Sequence, residues 1–593
     1  MPMQPSGCIG PTKMRKNIMN IYVENKKIES LKIVCGEGLQ VPIAANYFNE
    51  YAEKLGLNLT RNGDFTVNIL LDTTCQIDSL SMELKKDSLT LRGGKRGVIY
   101  SVFSFLEILG CRFFTENLEH LPTGDVYLNE FYKEESTPFT FRDVCTNYAN
   151  AKRWSHKQRL NSNLWNVRPF SEEQGGSCNF AGIPAHSLSG EYLLKPYVKT
   201  NPEFFSLIDG KRYTNYSGQV CMSNDEVIKA AAYEACKLLT NNPDKNIVSI
   251  SQGDNNNFCQ CDACKAKIEK QGLVKTYFDV VNKIARLIKE EHPHALVHTF
   301  AYEALCKKID FPLEDNIMMQ FCYSKCSTHA IDDESCEINK ENVVNLTDLC
   351  GKCKNVHVWY YVNCFKHQLF EYPYVHNMRR NMRFFADVGV TGIFNEGMHR
   401  SNEKVDCAET MELRSYILAK LMWNPYMSED EFRTHISEFC NAYYGKGGDR
   451  VVKYLELFEN SVGDCAGYDH HIEIDKKFQP VCTVKREDLP YVISEAHRLL
   501  NEAYELAEGE QKQRVDLLRT AALYFELYYT MDDVMENGSE EEKAVVLKKN
   551  SELIDRIINQ MLVLTFWGQW RRTQNDELRE MRDVSPTKWN YKW

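Results

Sequence analysis

Two acidic residues have the surroundings expected of catalytic carboxyl groups. Asp254 lies in the segment VSISQGDNNNFC, where an apolar run ends in glycine and amide residues. Glu396 lies in VGVTGIFNEGMHRSN, at the end of another short apolar run. Amide neighbours can orient a carboxylate and keep it ionised, although an aspartate in such a segment can also simply cap a turn. The alternative role for Glu396 is a structural ion pair with Arg400 or Arg142.

A pair of carboxyl groups is the usual machinery for cleaving a glycosidic bond. One group donates a proton to the departing oxygen, and the other acts as nucleophile, base or stabiliser of the oxocarbenium-like transition state. A separation of about 5–5.5 Å indicates retention of configuration, and about 6.5–9.5 Å indicates inversion. An N-acetyl substrate can supply its own nucleophile, and the second carboxylate then orients the acetamide. The sequence leaves the stereochemical outcome open.

Other polar and aromatic residues at the ends of predicted strands are candidates for sugar binding. Aromatic faces can stack on sugar rings while their polar tips hydrogen-bond to hydroxyl groups. Each of these residues can alternatively belong to the core or to the scaffold, as a structural histidine would in GIPAHSLSG. The candidate substrate-binding residues are Arg142, His186, Gln252, Asn256, Tyr302, Tyr323, Tyr361, Asn363 and Asn395.

Three cysteines follow Asp254 directly in FCQCDACK. Their C-x-C-x-x-C spacing can bind zinc if a fourth ligand comes from elsewhere in the chain. The same thiols can instead form a loop-fixing disulfide or remain free. No metal or cofactor is therefore assigned. The three residues are Cys259, Cys261 and Cys264, and the candidates for a fourth ligand are Cys178, Cys350 and Cys353.

The composition narrows the class of protein. With 43% hydrophobic and 26% charged residues the chain is an ordinary folded protein, which excludes intrinsic disorder. A net charge of −11 without basic blocks argues against nucleic-acid and anionic-membrane partners. No apolar run approaches the roughly 18 residues of a transmembrane helix. No signal peptide is visible, so a cytoplasmic location is expected on the sequence as given. The oligomeric state stays open.

The order of predicted elements indicates three domains after an N-terminal extension at 1–30. Residues 31–135 are predicted to form an α/β support domain. Residues 136–430 alternate short strands with helices, which predicts an α/β fold with a (β/α)₈ TIM-like barrel. Residues 431–593 show helical periodicity only, at Val492–Leu506, Val515–Met531 and Glu552–Leu564, and are predicted to form an α-helical domain.

The barrel prediction places the candidate residues at one mouth. In parallel barrels the functional side chains come from the carboxyl ends of the strands and the loops that follow them. Helix Tyr277–Lys289, with its apolar stripe, is predicted to cover the sheet. The predicted strands are Phe139–Val144, Leu164–Val167, Ile183–Ser187, Ile247–Gln252, Ala295–Ala301, Ile317–Cys322, Val356–Val362 and Gly392–Asn395.

The order of several segments resembles a known family. They are RDV, AHSL, NPEFFSLIDGKR, VCMSN, SISQGDNNNFCQCDAC, HTFAY, GIFNEG, LRSYILAKLMWNP and FCNAYYG. Together they are similar to the family called domain of unknown function 4838, which overlaps glycoside hydrolase family 163. The characterised activity of the latter is endo-β-N-acetylglucosaminidase action on complex N-glycans. The N-terminal module resembles the α/β domain that precedes the barrel in β-hexosaminidases and α-glucuronidases.

The resemblance implies hydrolysis of glycans that contain β-linked N-acetylglucosamine, by a two-carboxylate or substrate-assisted mechanism. Glu396 and Asp254 would be the two carboxyl groups, and the substrate an oligosaccharide or the glycan of a glycoprotein. Glu396 is favoured as the acid, but the sequence leaves open which of the two donates the proton. Hexosaminidases of related architecture often carry adjacent Asp-Glu acids, whereas here Asn255 follows Asp254, and members of the resembled family are usually exported. Two alternatives remain: an exo-acting, α-glucuronidase-like enzyme with Arg142 or Arg400 facing a substrate carboxylate, and a non-catalytic glycan-binding protein.

Overall fold

The computed structural model divides the chain into two compact units. It describes residues 19–146, 149, 151–162, 164, 169–215, 217–323, 326, 329–362, 369, 375–397, 410–463, 484–560, 579 and 581–588. The first unit contains the described residues up to Phe113, together with Glu119–Ser136 and Phe170–Gly176. The second unit contains Phe114–Leu118, Thr137–Pro169 and the described residues from Ser177 onwards.

The first unit is a small α/β structure built on a five-stranded sheet with the order β10-β5-β6-β4-β3. Helix α2 is buried along almost its whole length, as its apolar sequence predicts, and the chain turns at Gly110 with φ 99°. The elements are β1 (Met19–Val23), β2 (Lys26–Lys27), β3 (Leu31–Cys35), α1 (Val41–Lys54), β4 (Phe65–Leu71), β5 (Leu80–Lys85), β6 (Ser88–Gly93), α2 (Gly97–Ile108), β7 (Arg112–Phe113), β8 (Glu119–His120), β9 (Gly124–Leu128) and β10 (Phe131–Glu135).

The second unit joins a parallel sheet, covered by helices, to a run of helices. Its strands are β11 (Phe141–Cys145), β12 (Leu207–Ile208), β13 (Lys211–Arg212), β14 (Ile247–Ser249), β15 (Leu296–Ala301), β16 (Ile317–Tyr323), β17 (Asn355–Tyr361) and β18 (Gly392–Glu396). Its helices are α3 (Lys152–Lys157), α4 (Asp225–Asn241), α5 (Asp262–Gln271), α6 (Leu273–Glu291), α7 (Glu337–Cys350), α8 (Val375–Asp387), α9 (Met411–Trp423), α10 (Glu429–Tyr444), α11 (Gly448–Asn460), α12 (Leu489–Leu506), α13 (Gly509–Asn537) and α14 (Glu540–Asn559).

The main sheet is a six-stranded half-barrel with the order β11-β18-β17-β16-β15-β14. All neighbouring strands are parallel, and the strands are buried on both faces, as expected for a sheet covered by helices. Six of the predicted strands correspond to these six, with ends shifted by up to three residues. The described residues do not complete a closed eight-stranded barrel, so this part of the fold prediction is confirmed only as a parallel α/β half-barrel.

The prediction of a strand at Ile183–Ser187 is wrong. This segment has no regular strand structure, although Leu188 N–H donates to the Ser251 carbonyl and Ser187 Oγ to the Ser249 carbonyl. Pro184 has no N–H for a ladder, and His186 adopts a left-handed conformation with φ 51°. The chain therefore runs beside β14 without forming a ladder. The predicted strand Leu164–Val167 lies almost wholly outside the described residues.

The helices follow the predicted periodicity. Helix α6 extends the predicted Tyr277–Lys289 by a few residues at each end, and its predicted stripe of Phe278, Val281, Ile284, Ala285 and Ile288 is buried. The predicted C-terminal helices correspond to α12, α13 and α14, which pack in sequence order. Among the described residues, no helix is both long enough and apolar enough to span a membrane.

Two buried histidines on the inner face of the sheet predict a loss of stability in acid. Burial lowers the pKa of His298 to about 4 and that of His357 to about 3. The unfolded chain binds protons at these side chains near pH 6.5, so the folded state becomes less stable as the pH falls from about 6.5 towards 4. Each pKa unit corresponds to about 1.4 kcal/mol.

Chemical denaturation at pH 7 and pH 4.5 measures this effect. His298→Gln is expected to lose less stability between the two pH values than the wild-type protein, because it removes one of the two proton-binding sites. His294→Gln, an exposed histidine in the turn before β15, is the matched control. An equal loss in the wild-type protein and His298→Gln would contradict the assignment of a neutral buried imidazole.

Candidate active site

Side-chain alternation along the parallel strands builds one polar and aromatic group at the carboxyl ends of the sheet. Phe300, Cys322, Trp359, Tyr361 and Phe394 belong to one cluster inside the curved sheet. Tyr361 is paired in register with Glu396, and successive strand residues point to opposite faces. Glu396, two residues after Phe394, therefore points to the inner face as well. A candidate acid thus lies next to aromatic side chains at the end of β18.

The carboxyl group of Glu396 is hydrogen-bonded and largely surrounded by protein. Its Oε2 accepts a hydrogen bond of 2.6 Å from the Trp359 indole N–H. Burial of the carboxyl raises the pKa of Glu396 to about 8; the Trp359 hydrogen bond lowers it and the negative charge of Asp254 raises it. The residue keeps partial exposure to solvent. At neutral pH the group therefore carries a proton and remains open to a ligand.

Asp254 is the contrasting carboxyl group. It is exposed on the loop after β14, and its Oδ1 accepts a hydrogen bond of 3.2 Å from the Tyr302 hydroxyl. Burial and the Asp254 charge together raise the pKa of Tyr302, so the phenol stays protonated and serves as the donor. The loop after β14 thus holds the Asp254 carboxyl group in a hydrogen-bonded orientation, exposed to solvent.

The two carboxyl groups border the same cluster of buried thiol and aromatic side chains. The Cys322 thiol and the Tyr361 phenol are buried, which raises the pKa of each, and the charges of both Glu396 and Asp254 raise these pKa values further. The Phe300 ring lies between the hydrogen-bond partners of the two acids. Its centroid is 5.7 Å from that of Trp359, the partner of Glu396, and 6.3 Å from that of Tyr302, the partner of Asp254. Residues from β14 to β18 thus place both acids at one mouth of the half-barrel.

Gln219, which the sequence analysis missed, holds the Asp254 loop in shape. Its amide nitrogen donates to the carbonyls of Gly253 at 2.9 Å and Asn255 at 2.7 Å, and its amide oxygen accepts from the Gly253 N–H at 3.0 Å. The side chain is buried, so these bonds are shielded from water. An isolated glutamine before VCMSN has no periodicity or motif that would have revealed this role.

His186 and Gln252 lie next to Tyr302. The His186 Nδ1 is 2.9 Å from the Gln252 carbonyl oxygen, and the Gln252 amide donates to the Tyr302 carbonyl at 3.3 Å. The buried Oε1 of Gln252 has no hydrogen-bond partner within the described residues. Both predicted binding residues are thus near Tyr302.

Asn256 lies on the exposed rim of the same loop. Its amide is 3.5 Å from an oxygen of Glu303, which follows Tyr302 and is also exposed. Glu303 has φ 52°, a left-handed conformation that is uncommon for a glutamate. The pair bridges the loops after β14 and β15 beside Asp254.

The structure does not bring three of the predicted binding residues to this group, because they point to the other face of the sheet. The Arg142 guanidinium donates to the Arg159 carbonyl at 2.8 Å and lies over Trp423. Tyr323 stacks on Tyr360, and the Asn395 amide donates to the Asp143 carbonyl at 2.9 Å. All three are buried. Asn363 lies outside the described residues, as does Arg400.

The three cysteine thiols of FCQCDACK lie together with the thiol of a fourth cysteine. The sulfur atoms of the four cysteines lie within 4.8 Å of one another. The fourth is Cys221 from VCMSN and not the predicted Cys178, Cys350 or Cys353. In the structure Cys178 Sγ is 3.6 Å from the Thr140 carbonyl and Cys353 Sγ 3.5 Å from the Ile317 carbonyl. The group consists of Cys221, Cys259, Cys261 and Cys264.

The architecture is that of an α/β protein with a TIM-like half-barrel whose strand ends carry a candidate site. Residues 113–456 match the family model described as Domain of unknown function (DUF4838). Because the match spans more than half of the chain, the protein belongs to this family. No curated protein sequence matches the chain.

Several solved structures are similar in fold. CpGH89 from Clostridium perfringens, in complex with its substrate GlcNAc-α-1,4-galactose, has a TM-score of 0.50 at 11% identity over 91% of this chain and 70% of that chain. A GH138 enzyme targeting pectin rhamnogalacturonan II has a TM-score of 0.47 at 10% identity over 90% and 92%. CpGH84B has a TM-score of 0.46 at 12% identity over 93% and 96%. At 11% identity the likeness to CpGH89 concerns the fold alone.

Proposed function

We propose that the protein is a glycoside hydrolase in which Glu396 is the general acid and Asp254 the second carboxyl group. The observation that carries the proposal is the contrast between the two carboxyl groups at one mouth of the half-barrel. Glu396 has a pKa raised to about 8 by burial, whereas Asp254 is exposed and held by the Tyr302 hydroxyl. A carboxyl group that holds its proton at neutral pH, next to a second carboxyl group, is the requirement for acid–base cleavage of an acetal.

The Trp359 hydrogen bond defines the proton-transfer step. Oε2 of Glu396 is occupied by the indole N–H, so the proton resides on Oε1 and is donated from there to the glycosidic oxygen. As the proton leaves, the N–H stabilises the carboxylate that forms. Asp254 faces the positive charge that develops at the sugar ring and acts there as nucleophile, base or acetamide-orienting group.

The substrate we propose is a glycan containing β-linked N-acetylglucosamine, cleaved in the endo manner. The resemblance of the quoted segments to glycoside hydrolase family 163 favours this substrate. Tyr302 is only half-buried and offers a ring for stacking on the sugar.

Of the two arginines that could serve an α-glucuronidase-like enzyme, Arg142 lies away from the candidate site. Such an enzyme needs a positive group opposite the substrate carboxylate. The guanidinium of Arg142 is buried on the other face of the sheet, where it donates to backbone carbonyls. The other candidate, Arg400, lies outside the described residues. The uncharged N-acetyl substrate is therefore the proposal that the described residues favour.

Mass spectrometry of products from a panel of N-glycoproteins tests the proposed function. The wild-type protein is expected to release oligosaccharides and leave a single N-acetylglucosamine on each glycosylated asparagine. Asp244→Asn, an exposed carboxylate before β14 at the opposite end of the same strand, is the matched control and should behave like wild type. Glycan binding without any cleavage would overturn the proposal in favour of a non-catalytic glycan-binding protein.

Trp359→Phe is expected to move the alkaline limit of activity to higher pH. The substitution removes the N–H that favours the ionised form of Glu396, so the pKa of this carboxyl rises. The limit is measured from kcat/KM between pH 5 and 10, where wild-type activity should decline through a pKa of about 8. Trp154→Phe, whose indole N–H donates to the Phe114 carbonyl in another region, should keep the wild-type limit. A limit that moves to lower pH in Trp359→Phe would contradict the assignment.

A further inference from the structure

The four-cysteine cluster is built from segments far apart in sequence. Cys221 precedes helix α4, Cys259 ends the loop that carries Asp254, and Cys261 and Cys264 begin helix α5. Cys221, Cys259 and Cys264 are buried, and Cys261 is half-buried. The cluster takes no part in the proposed hydrolysis, because its thiols do not contact either carboxyl group.

The spacing of the sulfur atoms fits a tetrahedral metal site. A zinc ion with Zn–S bonds of about 2.3 Å has its four sulfur atoms about 3.8 Å apart along every edge of the tetrahedron. Cys221 Sγ is 3.8 Å from both Cys261 Sγ and Cys264 Sγ, and all four sulfur atoms lie within 4.8 Å of one another. A disulfide would instead bring two sulfur atoms to about 2.05 Å.

The surroundings of the cluster stabilise thiolates. The Leu207 N–H donates to Cys259 Sγ at 3.3 Å. The Ser223 hydroxyl lies 3.4 Å, 3.5 Å and 3.3 Å from the sulfur atoms of Cys221, Cys261 and Cys264. The Ser223 hydroxyl has one proton and can donate to one of these three thiolates at a time; a hydrogen bond of this kind, like the one from Leu207, is typical of metal-bound thiolates.

Local charge favours an anionic site as well. Cys261 is the N-cap of helix α5 and Cys264 lies in its first turn, where backbone N–H groups and the helix dipole favour negative charge. Lys267 Nζ donates to the carbonyl of Met222, the residue after Cys221, at 3.4 Å. This hydrogen bond ties helix α5 to the segment that follows Cys221.

We propose that Cys221, Cys259, Cys261 and Cys264 bind one zinc ion as a structural tetrathiolate site. Each thiol releases its proton on binding, so four protons leave and the zinc centre with its four thiolates carries a net charge of −2. Zinc is favoured because it prefers tetrahedral thiolate ligands and undergoes no redox change. With four protein ligands no position stays open for substrate, so the ion takes no direct part in catalysis.

The zinc ion fastens the loop that carries Asp254. It joins the chain around Cys221, two residues after Gln219, to the chain around Cys259, five residues after Asp254. Gln219 in turn bonds to the backbone on both sides of Asp254, at Gly253 and Asn255. Removal of the ion is therefore expected to free residues 253–261, measured as faster amide hydrogen exchange in that segment.

Metal analysis of the purified, tag-free full-length protein tests the site. About one zinc per chain is expected in the wild-type protein, and Cys261→Ser and Cys264→Ser should lower this content severalfold. Cys350→Ser, a half-buried cysteine of the CGKC pair outside the cluster, is the control and should keep the zinc. Iron in place of zinc, or zinc content unchanged in the two variants, would overturn the proposal.

A measurement on the wild-type protein covers the case in which the variants fail to fold. Stepwise modification of thiols in the presence of a coloured zinc indicator should release the zinc only as the four clustered thiols react. Peptide mapping then identifies the modified cysteines. Co²⁺-substituted protein should show the thiolate-to-metal absorption of a tetrahedral sulfur site. Disulfides among the four cysteines in a protein that contains no metal would contradict the proposal.

Discussion

Glu396→Gln is expected to reduce turnover of natural glycans by about 10²–10⁴-fold, the usual contribution of a general acid. The amide fills the same space and can still contact the indole of Trp359, but it has no proton to donate to the departing oxygen. The loss should be much smaller for aryl glycosides whose leaving phenol is already acidic, because these need little protonation. Steady-state kinetics on both substrate types measure the difference.

The leaving-group dependence separates chemistry from folding. A misfolded variant would lose activity equally on both substrates, whereas loss of the acid affects mainly the poor leaving group. The variant should also lose the alkaline decline of kcat/KM, since the titrating carboxyl is gone. An equal loss on both substrate types, with the alkaline decline retained, would show that Glu396 is not the acid.

Glu396→Gln should in addition make the protein more stable at high pH. A carboxyl whose pKa is raised to about 8 in the folded state and lies near 4.5 in the unfolded state binds its proton more tightly when folded. Its contribution to stability is therefore present below about pH 4.5 and is lost as the pH rises through about 8. The glutamine side chain has no such dependence, so the midpoint of thermal unfolding should exceed that of wild type at about pH 9, above the pKa of the carboxyl.

Asp254→Asn is expected to cause the second largest loss, about 10²-fold or more in kcat. The asparagine keeps the shape of the side chain but removes the charge that faces the developing positive charge of the sugar. Loss of the Asp254 charge also lowers the pKa of Glu396, because that charge raises the pKa in the wild-type protein. The alkaline limit of activity should therefore move to lower pH, opposite to the direction expected for Trp359→Phe.

Tyr302→Phe is expected to reduce kcat less than Asp254→Asn does. It removes the hydroxyl that donates to Asp254 and keeps the carboxylate, so its loss in kcat should lie between those of wild type and Asp254→Asn. Rates are compared at the pH optimum of each variant, which removes the effect of the shifted limit. An Asp254→Asn variant with wild-type kcat and an unmoved alkaline limit would exclude Asp254 from the mechanism.

The sequence predicted the half-barrel well because its evidence is local. Strands β15 to β18 are short apolar runs, and α6 has a continuous apolar stripe, so hydrophobic periodicity alone locates them. The segment at Ile183–Ser187 looked similar, but its proline and the left-handed His186 prevent a regular ladder. Hydrogen bonds to Ser249 and Ser251 hold it beside β14, and such long-range bonds leave no periodic pattern.

The candidate site was predicted less completely because its candidate residues came from both faces of the predicted strands. Glu396 and Asn395 are adjacent, yet alternation places the first on the inner face of the sheet and the second among the covering helices. The same rule separates Tyr361 from Tyr360 and Cys322 from Tyr323. Applied to the predicted strands, it separates Arg142, Tyr323 and Asn395 from the residues that share a face with Glu396.

Other features depend on distant partners and needed coordinates. Gln219 becomes significant only because the fold places it under Gly253 and Asn255. Cys221 lies 38 residues before Cys259 in the chain, and nothing in VCMSN marks it as the partner of a C-x-C-x-x-C segment. The raised pKa of Glu396 likewise follows from burial by residues of neighbouring strands.

The most direct test of the two-carboxylate site is a crystal structure of Glu396→Gln with a bound N-glycan fragment. We expect one glycosidic bond to lie between the substituted side chain and Asp254, with the introduced amide within hydrogen-bond distance of the glycosidic oxygen. The amide carbon of the substituted side chain and the carboxyl carbon of Asp254 should be no more than about 9.5 Å apart, the upper limit for paired glycosidase carboxyls. A glycan bound elsewhere, or a glycosidic bond out of reach of either side chain, would contradict the mechanism.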